Sequence, residues 1–184
     1  ELDGLLDISK LDAGIVTVNR TNFCLVSLLK RLQEEFSPRA ENRGIAIVLD
    51  CPERSVVNTD GALFERILRN LITNAIYHNT QCTVTLRIAP LKNFCQVVVE
   101  DTGCGIALAE QEQVFEEFYQ LENPERDRTK GLGLGLSIVR RLSDLLYLQM
   151  EFDSAPGRGT QFSFTVPIIE RAQGEAPTEQ YASF

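Results

Sequence analysis

Two asparagines four residues apart, Asn70 and Asn74, lie in the segment NLITNAIYHN. On a helix they share a face. Their neutral amide oxygens suit a hard cation such as Mg²⁺, which keeps waters and phosphate oxygens among its ligands. Two surface asparagines or a local cap would read the same way. A second group is DTGCGI, residues 101–106, directly after a predicted strand. Asp101 offers a carboxylate that can accept from an amino group, and Gly103 and Gly105 permit a tight turn and close backbone approach to a ligand. An ordinary strand-to-loop turn explains the same letters. The dinucleotide-binding fingerprint does not, because its third glycine and following helix are missing.

The third group is KGLGLGLSIV, residues 130–139. Gly131, Gly133 and Gly135 lead into a helix whose first N–H groups, reinforced by the helix dipole, make an anion site. Glycines at a helix start cost roughly 1 kcal/mol each, so three of them argue for a purpose. A P-loop is excluded, since no Lys-Ser/Thr pair stands where it is required. In the fourth group, GRGT, Gly157 and Gly159 suit a turn with positive φ, a sufficient structural reason for them.

These groups need elements to position them. ELDGLLDISKLDAG, residues 1–14, carries Leu2, Leu5 and Leu6 on one helical stripe and ends at Gly14, a C-cap; it reads as the end of a longer helix. Residues 17–23 suit a short strand. A helix over 24–40 turns Leu25, Leu28, Leu29, Leu32 and Phe36 to one side. Ile45, Ile47 and Leu49 alternate as in a strand. Asp60 is an N-cap for a helix to His78, with Leu63, Ile67, Leu68, Leu71 and Ala75 inward. Residues 83–89 and 94–100 make a hairpin around 91–93. A short helix covers 108–119. The polar stretch 120–130 is a mobile surface loop. A helix over 134–146 turns Ile138, Leu142 and Leu145 inward, and 149–153 with 161–167 form a last hairpin. The polar tail after Ile169 reads as disordered or as a linker. The order is α+β, without the strict β-α-β alternation of a doubly wound sheet.

Composition narrows the function classes. The chain has 184 residues, 18 Lys and Arg against 26 Asp and Glu, and a net charge of −8. That suits one ordinary domain, and the acidic balance argues against a general nucleic-acid binder. One histidine excludes multi-His metal sites. Five cysteines without C-x-x-C spacing argue against a zinc site or a disulfide framework and for reduced thiols in the cytosol. No apolar run approaches the roughly 18 residues of a membrane span, and no signal peptide is read at the start, so membrane contact from this segment is not expected.

In this order the groups resemble the boxes of the catalytic ATP-binding domain of sensor histidine kinases, part of a wider group with gyrase, MutL and chaperone ATPases. NLITNA is similar to the N box, DTGCGI to the G1 box, VFEEFYQ to the F box, GLGLGLSIV to the G2 box and GRGTQFSF to the G3 segment. LLDISKLDAG resembles the end of the second dimerisation helix. The resemblance implies a two-layer α/β sandwich, the Bergerat fold: a mixed sheet of roughly five strands backed by helices, with ATP under a mobile lid. It divides the chain into a dimerisation-helix end (1–14), the catalytic domain (15–169) and the tail (170–184). Asn70 and Asn74 would hold Mg²⁺ and phosphates, and Asp101 would accept from the adenine amino group. Gly103 and Gly105 would let the backbone pass the base. Phe115 and Phe118 would anchor the lid, although aromatics three apart on a short helix are also ordinary core. Gly131, Gly133 and Gly135 would present amides to the phosphates, and Thr160 would support Asp101. Tyr77, His78, Ile106, Lys130, Leu132, Leu134 and Leu136 complete the expected nucleotide lining.

The ATPase relatives place a Glu four residues before the second asparagine to activate water. Here that position is Asn70, and a neutral amide is no general base. The site should therefore hold Mg-ATP for another nucleophile, leaving positioning and electrostatics to do the work. In this family the nucleophile is a histidine of the dimerisation domain of the same protein, and the phosphoryl group passes on to a response regulator or receiver domain. His78 is not expected to be the acceptor, and the segment should not autophosphorylate by itself. Two positions depart from the family pattern. Tyr77 stands where a Lys or Arg usually faces the phosphates, a charge-assisted contact worth about 1.5–3 kcal/mol; Arg126, Arg128 and Lys130 are candidates to compensate. Leu132 replaces the usual Thr or Ser. The rival reading is a degenerate kinase domain that regulates or pairs with another kinase.

Overall fold

The computed structural model describes residues 8–51, 54–117, 119–120 and 134–172. Its regular elements are strands β1 (Thr21–Cys24), β2 (Ala46–Asp50), β3 (Arg54–Thr59), β4 (Thr83–Pro90), β5 (Phe94–Asp101), β6 (Gln149–Ala155) and β7 (Gly159–Ala172), with helices α1 (Leu25–Glu41), α2 (Gly61–His78) and α3 (Gly135–Leu145). The strand path is β1-β3-β7-β5-β4-β2, with β6 also paired to β7. β2 and β4 run parallel and the other pairs antiparallel. The mixed sheet is thus as expected, but among the described residues it has seven strands, not roughly five. The five expected strands from 45 onward correspond to β2, β4, β5, β7 and β6. β1 answers the short strand expected over 17–23, and β3 is the addition: β7 continues through Ala172 and takes β3 as a neighbour, with β1 beyond it. The segment RSVVNT has only two strongly apolar residues, which hides β3 from a pattern search. Residues 170–172 belong to this strand rather than to the tail.

Each helix forms for a reason visible in the chain. Gly61 opens α2 behind Asp60, whose Oδ1 accepts from the Leu63 N–H at 3.0 Å, satisfying a first-turn donor. Residues 8–12 are helical and stop at Gly14, where φ is +64°. The Gly14 N–H reaches the Leu11 carbonyl and the Ile15 N–H the Lys10 carbonyl, both at 3.1 Å, a Schellman ending. Arg141 of α3 ties this segment down by pairing with Asp12 and with Glu117.

The three helices cover one face of the sheet. The inward rows are Val84, Leu86 and Ile88 of β4, Cys95, Val97 and Val99 of β5, and Phe162, Phe164 and Val166 of β7, all buried. Leu25, Leu28, Leu29, Leu32 and Phe36 are buried as the α1 spacing predicts. On α2, Leu63 is only partly buried and Phe64 takes the inward place, its ring edge-on to Phe164 at 6.1 Å. On α3, Leu145 likewise sits at the margin, with Leu136 and Val139 buried instead. The helix expected over 108–119 is replaced by two single 3₁₀ turns, Leu108–Glu110 and Gln113–Phe115. This segment lacks a continuous apolar face: only Val114 and Phe115 of the two turns are buried, and Leu108 is exposed.

Candidate functional site

Period-two alternation along β5 sets the site. Cys95, Val97 and Val99 point into the core, so Asp101, next in the row, also faces the helices and not the solvent. The residue ends up 9% exposed beside the last turn of α2. Burial pushes its pKa above the usual aspartate range. The Gly103 and Thr160 backbone N–H groups and the Asn79 side chain pull the other way by hydrogen bonding to the charged form, and neighbouring Glu100 adds to the rise. The Gly103 contact is 2.9 Å to Oδ1.

Asp101 lies in a small cleft of about 30 Å³, partly open to solvent, between α2 and the sheet. Leu71, Asn74, Ala75, His78 and Asn79 line it from the helix side. Val99, Asp101, Cys104, Gly105, Ile106, Thr160 and Phe162 line it from the sheet and the 101–106 loop. Of the residues predicted from the sequence, Asn74, His78, Asp101, Gly105, Ile106 and Thr160 therefore converge on one cavity. Asn70, one turn back from Asn74, is half-buried. Its amide N–H donates to the Arg66 carbonyl at 2.9 Å, and its Oδ1 is 3.5 Å from where a Cβ on Gly135 would stand. The start of α3 thus adjoins the α2 face that carries both asparagines. Leu134 precedes α3 and supplies no side-chain cap to it. Leu134 and Leu136 are buried and hold this end of the helix in the core.

Tyr77 is half-buried, and its ring meets His78 edge-on at 5.2 Å. Its carbonyl accepts from Arg43, which also donates to the Asn79 carbonyl, closing the end of α2. Phe115 is a core residue: it is 6% exposed, packs edge-on against Phe152 and Phe162, and carries the Arg140 guanidinium 4.0 Å above its ring. Phe118, Lys130, Gly131, Leu132 and Gly133, with the loop carrying Arg126 and Arg128, lie outside the described residues.

The roles of two residues, Asn79 and Ser154, were not legible in the sequence. Asn79 is buried; its Nδ2 donates to the Ala75 carbonyl at 2.9 Å and its Oδ1 accepts from the Cys104 N–H at 3.0 Å. Ser154 is a hub on β6. Its Oγ accepts from the Ile106 N–H at 2.9 Å, donates to the Gly159 carbonyl at 3.0 Å and lies 2.9 Å from the Thr160 hydroxyl. The Gly157 N–H also donates to the Cys104 carbonyl at 2.8 Å. The last hairpin is thereby fastened to the loop after Asp101. A serine in a strand and an asparagine after a helix carry no mark of these partners, which lie 48 and 25 residues away.

Among the described residues no group of three His, Cys, Asp or Glu side chains could hold a metal ion. Any cation here would rest on the amide oxygens of Asn70 and Asn74 and on oxygens brought by a ligand, a donor set that fits Mg²⁺ rather than a softer metal.

Residues 59–170, which carry this cleft, match the family of histidine kinase-, DNA gyrase B- and HSP90-like ATPases. The chain belongs to that family. Its relatives include the sensor histidine kinase MtrB of Mycobacterium leprae, 33% identical over 169 residues that span 91% of this chain and 30% of MtrB. They also include the autoinducer 2 sensor kinase/phosphatase LuxQ of Vibrio parahaemolyticus, 31% identical over 187 residues, 97% of this chain and 22% of LuxQ. The chain thus spans less than a third of these relatives. Among solved structures, full-length ShkA in complex with AMPPNP superposes with a TM-score of 0.79 at 28% identity, over 90% of this chain and 35% of ShkA. The Acinetobacter baumannii histidine kinase AdeS shares the fold, with a TM-score of 0.75 at 19% identity over 92% of this chain and 77% of AdeS.

Proposed function

We propose that this segment is the ATP-binding catalytic domain of a sensor histidine kinase and passes the γ-phosphoryl group to a histidine on a dimerisation domain. The observation that carries the proposal is the convergence of the buried Asp101 carboxylate and the Asn74 amide on one cleft. One is a fixed acceptor for the amino group of an adenine. The other lies on a helix face that, with Asn70, suits the metal and phosphate end. Bound Mg²⁺ would neutralise phosphate charge. Asn70 and Asn74 would orient it, and the first-turn N–H groups of α3 would donate to phosphate oxygens. Residues 1–14 would be the end of the dimerisation helix, 15–172 the catalytic domain and 173–184 a linker or terminus. Neither asparagine can deprotonate water, so the bound nucleotide waits for the histidine, and a response regulator is the natural next acceptor.

The first test is a thermal melt with and without Mg-ATP, beside Asp101→Asn. Ligand at about 100 times Kd adds roughly 2.7 kcal/mol, which for a chain of this size is a rise of about 5–10 °C. The shift should be lost in the variant. The second is label transfer from γ-phosphate-labelled ATP to a separately supplied histidine-bearing dimerisation domain, with none retained on His78. No melt shift at millimolar nucleotide would overturn the proposal and favour a regulatory module in which Tyr77 marks a disabled site.

A further inference from the structure

A nucleoside triphosphate carries a large negative charge, and a divalent cation cancels only part of it. Among the described residues that line the cleft there is no Lys or Arg. Arg43 donates to the Tyr77 and Asn79 carbonyls, at the end of α2 beside Asp101. Arg69 is held on the other flank of α2 by Glu35 of α1 and by Glu65. Arg66 is half-buried and stands one turn before Asn70. Arg66, Asn70 and Asn74 are spaced by four, which is one row of a helix surface. Helix side chains lean toward the N-terminus of their own helix, and Asn70 does so: its Nδ2 donates to the Arg66 carbonyl. The tip of Asn70 therefore lies over the turn that holds Arg66. Its Oδ1 is 3.5 Å from where a Cβ on Gly135 would stand, so Arg66, the Asn70 oxygen and the start of α3 adjoin.

We propose that Arg66 is a phosphate-binding residue of this site: its guanidinium takes the terminal phosphate of the bound triphosphate, beside the Asn70 oxygen. The proposal rests on the nucleotide reading of the cleft. At 1.5 Å per residue, Arg66 is about 20 Å along the helix axis from Asn79 and about 6 Å beyond Asn70. A base at Asp101 with its metal on the asparagines therefore brings the last phosphate, not the first, to this end of the row. A planar guanidinium matches two phosphate oxygens at once. Its charge offsets what the γ-phosphoryl group adds to a diphosphate, so Arg66 makes the site tell a triphosphate from a diphosphate. A domain that hands on that phosphoryl group has to release the diphosphate, and a cation reserved for the terminal phosphate loosens the product once the group has left.

The experiment measures affinities of the full chain for Mg-ATP and Mg-ADP in wild type, Arg66→Gln and Arg66→Lys, at low and high salt. Gln and Lys are helix formers like Arg, so the melting temperatures without nucleotide should stay level. Arg66→Gln should lower Mg-ATP affinity about tenfold or more and leave Mg-ADP affinity nearly level. It should also flatten the salt dependence of Mg-ATP binding. Arg66→Lys keeps the charge and should recover part of the preference for ATP. An ATP-to-ADP affinity ratio in Arg66→Gln equal to that of wild type, whether both affinities fall or neither moves, would make Arg66 a structural residue and overturn the proposal. A lysine variant no better than the glutamine one would overturn it too. Wild type binding neither nucleotide would instead overturn the nucleotide reading itself, and the proposal with it.

Discussion

Gly103 and Asn79 occupy adjoining space so tightly that a Cβ built on Gly103 would fall 1.9 Å from Asn79 Oδ1. This glycine is required by the protein, whatever ligand approaches the loop. Gly105 is in the same position: its φ is +69°, and its Cβ would stand 1.9 Å from the Ala155 carbonyl oxygen of β6. The turn after Asp101 is wedged between the end of α2 and the last hairpin.

Gly103→Ala should accordingly displace the loop and take the Asp101 contact with it. Overpacking of this kind costs about 1–3 kcal/mol. A lower melting temperature together with loss of the Mg-ATP shift is the expected result. Wild-type nucleotide affinity in this variant would mean that Asn79 yields freely.

Ser154→Ala tests the other side of the wedge. Removing the hydroxyl leaves the buried Ile106 N–H without its acceptor, a loss of about 1–3 kcal/mol. Hydrogen exchange at Ile106 should rise more than exchange in β4, where the ladder is untouched.

The acid response should separate ligand binding from stability. Asp101 holds its proton more tightly in the folded chain than in the unfolded one, because burial dominates. Protonating it on acidification therefore does not destabilise the fold, but it removes the acceptor, and ATP affinity should fall at a pH above the ordinary aspartate range. Glu65 behaves oppositely. Hydrogen bonds from Arg31 and Arg69 hold it below the usual carboxylate range, so its contribution is present above the unfolded value and is lost as pH falls through the lowered folded value. Titrating both nucleotide affinity and the melting temperature should show affinity failing first on acidification. A simultaneous collapse would contradict this order.

Phe64→Ala probes the core beneath the site. Phe64 is fully buried and meets Phe164 edge to face at an interplanar angle of 86°. Truncating a buried phenylalanine costs about 3–5 kcal/mol, and chemical denaturation should show it as a shift in midpoint without a change in slope. Leu63→Ala, at the half-buried neighbouring position, should cost distinctly less.

The α1 stripe, the Asp60 cap, the hairpins and the boxes were legible because each depends on residues close in sequence. Helical period, capping oxygen and glycine placement act locally. β3 was not legible, since RSVVNT becomes a strand only where the end of β7 offers it a partner. The inward choice of Phe64 over Leu63 depends on which way α2 is rotated against the sheet, and that is decided by Phe164, a hundred residues after Phe64.

The same division holds for the site. By itself the chain determined that two asparagines stand one helical turn apart and that an aspartate ends a strand. It determined as well that no carboxylate stands at position 70 to activate water. Tertiary structure alone decided that Asp101 faces the helices beside Asn74, that Phe115 is core, and that Asn79 and Ser154 clamp the loop between them. The reason is physical. Propensities and caps act within a few residues, whereas burial and the pairing of distant polar groups exist only once the sheet is assembled.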